Sequence, residues 1–379
     1  MISQYQPGTP VSVVRNPYFR QPCAGPGCRP WSAKYRPNAS LTLVRNPYFR
    51  QWSYAAQPTG YPDVIRFERV ADPGKQVSAV IAGRADLVDL FLNGLSYPDL
   101  ATRYPTRVHA GLKLFTTYLF LNTRQPPFTS IKARQAVNYA IDRARMLQLL
   151  HLGPGQAAVT CQILPADFPG YQHYCPYTAG TKDGAWHGPD LQKARRLAKE
   201  SGTTNMPVTV WTINGLADRA VGSYLVQLLK ELGYQASLRT VSFNRFLSAS
   251  DSRNKIQMGL FAWGADFPSA GAFFLPVLSC RSFHEAPTST DNLAEYCDPR
   301  LDKLASKAQA AQLTNPATAR RLWAQVDRIV TNQAPWVPIL NESLAGFVSS
   351  GSGTSKSPRA THTCSTRCGF DNGHSRVLS

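Results

Sequence analysis

The chain has 379 residues, 43% of them hydrophobic and 17% charged, enough apolar material for a sizeable core and too much chain for one small domain. Its 41 Lys and Arg against 23 Asp and Glu leave a net charge of +18, but the cations are scattered. Without a basic block, zinc-finger spacing or RNA-recognition aromatic motif, a cationic surface is favoured over nucleic-acid binding.

The N-terminus carries neither a basic n-region nor an apolar h-region, so no secretory signal is expected in this chain, and no apolar run predicts a membrane span. Val14 to Gln21 recurs unchanged as Val44 to Gln51. A solenoid needs a third copy, so this is read as a local duplication with Cys23 to Cys28 at its seam, and residues 1–30 are expected to fold poorly. Strands are then predicted over 41–45 and 64–70, a helix over 74–82 stopped by Gly83, and a short strand over 85–90.

Tyr118 to Asn122 reads as an apolar-aromatic strand, turned by Pro126-Pro127-Phe128. Ala133, Ala136, Val137, Ala140 and Ile141 then fall on one face of a 3.6-residue period, which predicts a helix running to Gly153 with Lys132, Arg134, Asn138 and Arg143 on its wet side. A loop rich in Pro, Gly and Tyr follows over 153–189. Helices are predicted over 190–200 and 216–232, strands over 208–212, 236–241 and 256–263, and helices near 270–278, 299–312 and 317–333. Alternation of this kind argues α/β layers. Beyond Val348 the composition falls to Ser, Thr, Gly and Arg without a period, which predicts a disordered tail over 348–379.

Eight cysteines fall in local pairs: Cys23/Cys28, Cys161/Cys175, Cys280/Cys297 and Cys364/Cys368. Even, closely spaced cysteines fit disulfides made outside the cytoplasm, each middle pair worth about 3 kcal/mol by chain entropy. Spacing alone leaves buried free thiols open. Enzyme signatures are missing: there is no Gly-x-Ser-x-Gly elbow, His-Glu-x-x-His, P-loop or dinucleotide fingerprint, so no catalytic residue and no cofactor are assigned. His362, Cys364, Cys368 and His374 imitate a zinc site, but their irregular spacing in the biased tail is read as chance composition, and no metal is expected.

The segment Tyr118 to Arg143 resembles the central signature of the family 5 extracellular solute-binding proteins, the dipeptide, oligopeptide and nickel receptors of ABC importers. The resemblance continues in order through Tyr35 to Tyr48, Tyr61 to Phe67, Val80 to Leu87, Trp263-Gly-Ala-Asp266, Tyr296 to Asp302 and Ala334 to Ile339. It implies an α/β, periplasmic-binding-protein-like (type II) fold, truncated at its N-terminus, with one nearly complete lobe and part of the other. The implied division is a duplicated segment at 1–30, a partial first lobe at 31–118, a second lobe at 119–333, a return strand at 334–347 and the tail.

By the same resemblance the protein is an extracytoplasmic, monomeric receptor that closes two lobes over a peptide and delivers it to a membrane permease. Nickel chelates or oligosaccharides are the alternative solutes, and a gene fragment without function is the third reading. Asp266 is implied to accept the peptide's α-ammonium, with Trp263 walling the site. A carboxylate shut away without a partner costs several kcal/mol, and an ammonium supplies both the opposite charge and charge-assisted hydrogen bonds. Against this, Asp266 is equally placed to cap the helix that follows Ser269. Arg219 is a further candidate, for a carboxylate, against its reading as a solvated helix charge.

Overall fold

The structure is a computed structural model, and it describes residues 34–36, 39–44, 64–70, 72–89, 97–152, 156–181, 183–214, 219–249, 252–267, 269–284, 290–350 and 374–378. The front copy of the duplication, most of its second copy, and the Cys23/Cys28 and Cys364/Cys368 pairs lie outside these residues. The chain divides into two units, one of residues 1–111 and 344–379 and the other of residues 112–343. The sequence placed the corresponding divisions at 118/119 and 333/334.

In chain order the elements are β1 (Lys34–Arg36), β2 (Ser40–Val44), β3 (Val64–Glu68), α1 (Pro73–Ile81), β4 (Leu87–Asp89), α2 (Tyr97–Arg103), β5 (Val108–Leu121), α3 (Ile131–Ala140), α4 (Arg143–Leu149), β6 (Ala157–Val159) and α5 (Leu191–Glu200). They continue as β7 (Pro207–Ile213), α6 (Arg219–Glu231), β8 (Gln235–Val241), α7 (Phe243–Ala249), β9 (Met258–Gly264), α8 (Gly271–Phe274), α9 (Pro299–Thr314), α10 (Pro316–Gln333), β10 (Trp336–Val348) and β11 (His374–Leu378). None of the described helices is long and apolar enough to cross a membrane. The expected α/β class is what the chain forms.

The first unit holds strands in the order β1-β2-β3-β11-β4-β10. Strand β11 lies parallel to both neighbours, from His374 opposite Val64 to Leu378 opposite Glu68 on one side, and Val377 opposite Leu87 on the other. This corrects the disordered reading of the tail at residues 374–378. Five residues with little periodicity carry no visible strand signal; their order comes from the two main-chain edges of β3 and β4 that they pair. Val77, Val80, Ala85, Val88, Leu100, Ala345 and Phe347 form the core of this unit.

The second unit holds the order β10-β5-β9-β7-β8, with β6 on the other side of β10. Strands β7 and β8 run parallel and in full register from Pro207 opposite Gln235 to Ile213 opposite Val241. Strand β9 is parallel to β7 and antiparallel to β5. Helix α6 makes the crossover from β7 to β8, and its Gly222 lies so close to Leu238 that a Cβ would sit 2.7 Å from that side chain. A continuous core runs from Leu119 and Leu121 through Ala133, Val137, Val210, Leu225 and Leu260 to Val337 and Leu340.

Two expectations about the central helix are corrected. It is broken: Ile141 turns out to an extended conformation, and Asp142 caps a second helix by accepting from Arg145 N at 2.9 Å. Its polar stripe is also not wet. Arg134, Asn138 and Arg143 are 5%, 0% and 0% exposed, and only Lys132 stays in solvent, paired with Glu200 at 3.1 Å. The three bury because each satisfies main-chain carbonyls. Arg134 donates to Gln333 O, Phe128 O and Thr129 O, Asn138 Nδ2 to Trp336 O, and Arg143 Nε to Thr160 O and Pro338 O. Burial pulls the pKa of Arg134 down to about 10 and that of Arg143 to about 9, so both remain charged at neutral pH. Carbonyl dipoles, rather than carboxylates, surround the charge.

Candidate functional site

The second unit has a natural place for a ligand. From β7 the chain crosses through α6 to β8 on one side, while β9 lies on the other side of β7. Strands β7 and β9 are parallel neighbours, so their carboxyl ends lie at the same end of the sheet, the end at which α/β proteins commonly bind ligands. Asp266 stands two residues beyond the end of β9, and Arg219 begins the helix that follows β7. The topology thus brings the two predicted residues to one end of the sheet. It does not join them: both are exposed, and neither makes a hydrogen bond or ion pair to a described residue.

Trp263 is set by the ladder opposite Thr116 and is half-buried. Its Nε1 donates to Ala272 O at 2.8 Å, which fixes the indole against the start of α8. Next to it, Gly264 packs under the Phe115 ring so tightly that a Cβ would fall 2.3 Å from it. The helix-capping alternative for Asp266 finds no counterpart among the described bonds. Ala270 precedes α8 without a side-chain cap, and Ser269 Oγ takes the bond from Gly271 N at 3.2 Å.

Two groups that the sequence did not single out respond electrostatically to this region. Asp291 is exposed on a turn, and its pKa is raised by burial of its surroundings and then by the negative charge of Asp266. Tyr118 is fully buried, with its ring stacked on Trp336 at a centroid distance of 3.4 Å. Its pKa is pushed up by burial first and by the charge of Asp291 second. A turn signal, Thr290-Asp-Asn292 inside the Cys280/Cys297 pair, is the only trace of Asp291 in the sequence.

Both middle cysteine pairs are disulfides, Cys161–Cys175 and Cys280–Cys297, with sequence separations of 14 and 17 residues. Each closes a loop between elements, the first between β6 and α5 and the second between α8 and α9. The first is reinforced by the buried carboxylate of Asp327, which accepts from Gln162 Nε2 at 2.6 Å and from Ile163 N at 3.1 Å. Burial lifts the pKa of Asp327 to about 6. This acid is structural: all its partners are in the loop it holds or in its own helix. Among the described residues no group of three or more His, Cys, Asp or Glu is arranged to hold a metal ion.

The model for bacterial extracellular solute-binding proteins, family 5 middle, matches residues 32–285 of the chain. "Di/tripeptide-binding protein 4" of Pseudomonas aeruginosa is 29% identical over 300 residues, covering 76% of this chain and 53% of that protein. "Heme-binding protein A" of Haemophilus influenzae is 26% identical over 280 residues, covering 71% of this chain and 47% of that one. The chain thus spans about half the length of the curated relatives it matches. Among solved structures, the Helicobacter pylori periplasmic binding protein DppA in complex with the peptide STSA superposes with a TM-score of 0.71 at 18% identity, covering 89% of this chain and 62% of that one. The dipeptide binding protein of Pseudoalteromonas sp. SM9913 in complex with Met-Leu gives 0.65 at 21% identity, covering 86% and 61%. At these identities the structures establish a shared fold.

Proposed function

The chain belongs to family 5 of the bacterial extracellular solute-binding proteins, and from that membership we propose that it binds peptides and hands them to the permease of an ABC importer, outside the cytoplasm. The observation that carries this reading is the exposed carboxylate of Asp266 at the carboxyl end of β9, unpaired among the described residues although cations outnumber acids in the chain. An α-ammonium supplies the missing charge and three donors. Trp263, held in place by its bond to Ala272, gives the first residue of the peptide an apolar wall. Arg219, at the same sheet end, offers a guanidinium to a carboxylate of the ligand. Relatives whose names print a peptide ligand support this solute class.

A binder of this kind holds its ligand through termini and backbone and does no covalent chemistry. Calorimetric titration of the full chain with free-amine tripeptides tests it. Wild type should give saturable heats and Asp266→Ala should lose them, a fall in affinity of at least about thirtyfold given the 2–5 kcal/mol typical of removing one partner of a charge pair that ligand binding buries. Equal heats from the two proteins would take Asp266 out of the site. Heats with a nickel chelate or an oligosaccharide and none with peptides would change the solute class.

A further inference from the structure

Helices α9 and α10 form a hairpin with a single residue, Asn315, at the bend. Its main-chain N–H closes α9 on Ala311 O at 2.8 Å, and its side chain caps α10 by accepting from Thr318 N at 3.0 Å. One side of each helix is committed to packing: Leu301, Ala305 and Ala308 of α9, and Trp323, Val326 and Val330 of α10, are buried. Trp323 stacks on Phe274 at a centroid distance of 5.8 Å, and near the bend Gln312 Nε2 donates to Ser269 Oγ at 2.7 Å. The hairpin is thus fastened along its length, and its open side is a fixed surface.

That open side is basic without compensation. From Lys303 to Gln333 the hairpin carries Lys303, Lys307, Arg320, Arg321 and Arg328 against one acid, Asp327, whose buried carboxylate is spent on Gln162, Ile163 and Leu164. All five cations are exposed, and none forms an ion pair with a described residue. Helix α5 is equally rich in cations but differs here, since Arg195 lies 3.9 Å from Glu231 and Arg196 lies 3.9 Å from Glu200. Beside the bend, Leu313 is 96% exposed, whereas the other exposed large apolar side chains among the described residues reach only 36–52%. The helical rise puts Lys307, Arg320 and Arg321 within about 12 Å of the bend along the two axes, so cations from both helices flank the bare leucine.

This combination selects its partner by chemistry. A protein partner would call for aromatic anchors in a shaped apolar patch, and the hairpin's one aromatic side chain, Trp323, is buried. A nucleic-acid backbone would answer the cations and leave the leucine in water. An anionic bilayer answers both, because acidic lipids diffuse to cations wherever they sit and the boundary with the acyl chains takes up a leucine. We propose that the α9–α10 hairpin is a docking surface for an anionic lipid membrane, with Leu313 entering the headgroup–acyl boundary and Lys303, Lys307, Arg320 and Arg321 held against acidic headgroups. Such contact is reversible and sensitive to salt. It uses none of Trp263, Asp266 and Arg219, and it stands whether or not the chain binds peptides.

Co-sedimentation of the full chain with vesicles of phosphatidylcholine containing about one-third phosphatidylglycerol, and with phosphatidylcholine alone, tests the surface. Wild type should bind the first and not the second, and about 0.5 M salt should release it. Lys303→Gln combined with Lys307→Gln should weaken binding at least about twentyfold, each cation at such a surface being worth about fivefold. Leu313→Ser should weaken it about tenfold. Arg195→Gln combined with Arg196→Gln removes the same charge from a helix whose cations are already paired, and should stay within about twofold of wild type. Failure to bind the anionic vesicles overturns the proposal. An equal loss from the two double variants would mean attraction by net charge alone and overturns it too, as does binding that Leu313→Ser leaves unchanged. Retention of duplex DNA that the lysine variant abolishes, with vesicles ignored, would reassign the face to nucleic acid.

Discussion

Asp327 shows how a single buried acid ties the stability of this protein to pH. Its carboxylate is fully buried, and its folded pKa is about 6 against roughly 3.9 in an unfolded chain. Between those values the folded state holds more protons than the unfolded one, so stability falls as pH rises. The contribution is fully present below about pH 4 and is lost by the time pH passes through 6, a swing of about 3 kcal/mol from this group. Thermal melts of Asp327→Asn should therefore lack the downward slope that wild type shows across this window. The variant should also melt lower throughout, since an amide keeps one acceptor oxygen and turns an NH2 donor either to Gln162 Nε2 or to the N–H groups of Ile163 and Leu164. A wild-type slope retained in the variant would assign the pH dependence elsewhere. None of this was legible in the sequence, where Asp327 is one polar residue on an amphipathic helix.

At the scale of elements, the joint between α3 and the end of α10 carries unusual weight. The last carbonyls of α10 point out of the helix with a partial negative charge, and Arg134 answers them, its Nε and Nη2 donating to Gln333 O at 3.0 and 2.8 Å. Tyr177 Oη donates to Thr331 O and Asn332 O in the same place. Replacing Arg134 by Met keeps most of the volume but strands these acceptors together with Phe128 O, and should cost about 3 kcal/mol in chemical denaturation. Lys132→Met two residues earlier, where the pair with Glu200 is exposed, should change stability by less than about 1 kcal/mol. If the two variants behave alike, the guanidinium is not the tie.

The same joint explains what the sequence could and could not say. The period of Ala133, Ala136, Val137, Ala140 and Ile141 located α3, and the parallel strands β7, β8 and β9 were placed to within two residues, because apolar periodicity is a local signal. Arg134, Asn138 and Arg143 were assigned to solvent because polarity says nothing of which carbonyls lie across a helix from them. Helices α2 and α7 and strand β6 went unseen for the same reason as β11: short segments owe their form to distant partners. At the candidate site, Trp263 and Asp266 stood out through the family's wording. The full burial of Tyr118 and its stacking on Trp336 become visible only once the strands are paired.

For the molecule as a whole, the two units draw on the chain differently. The second is one continuous segment, residues 112–343, with a core of its own. The first is assembled from residues before and after it, and β11 sits between β3 and β4 as the middle of its sheet. Removing residues 374–379 should leave the facing edges of β3 and β4 without partners. Differential scanning calorimetry of that truncation should show the transition of the first unit lowered or lost and that of the second unchanged; a uniform shift of a single transition would mean that the units unfold as one.

The interior position of β11 also sets an order on assembly. Its partners in β3 are more than three hundred residues upstream, so that part of the sheet cannot be completed during synthesis until the whole of the second unit has been made. In the interval two strand edges wait unpaired, and such edges invite pairing with other chains. A cell making this protein would need either a chaperone on the nascent first unit or a synthesis rate that keeps the wait short.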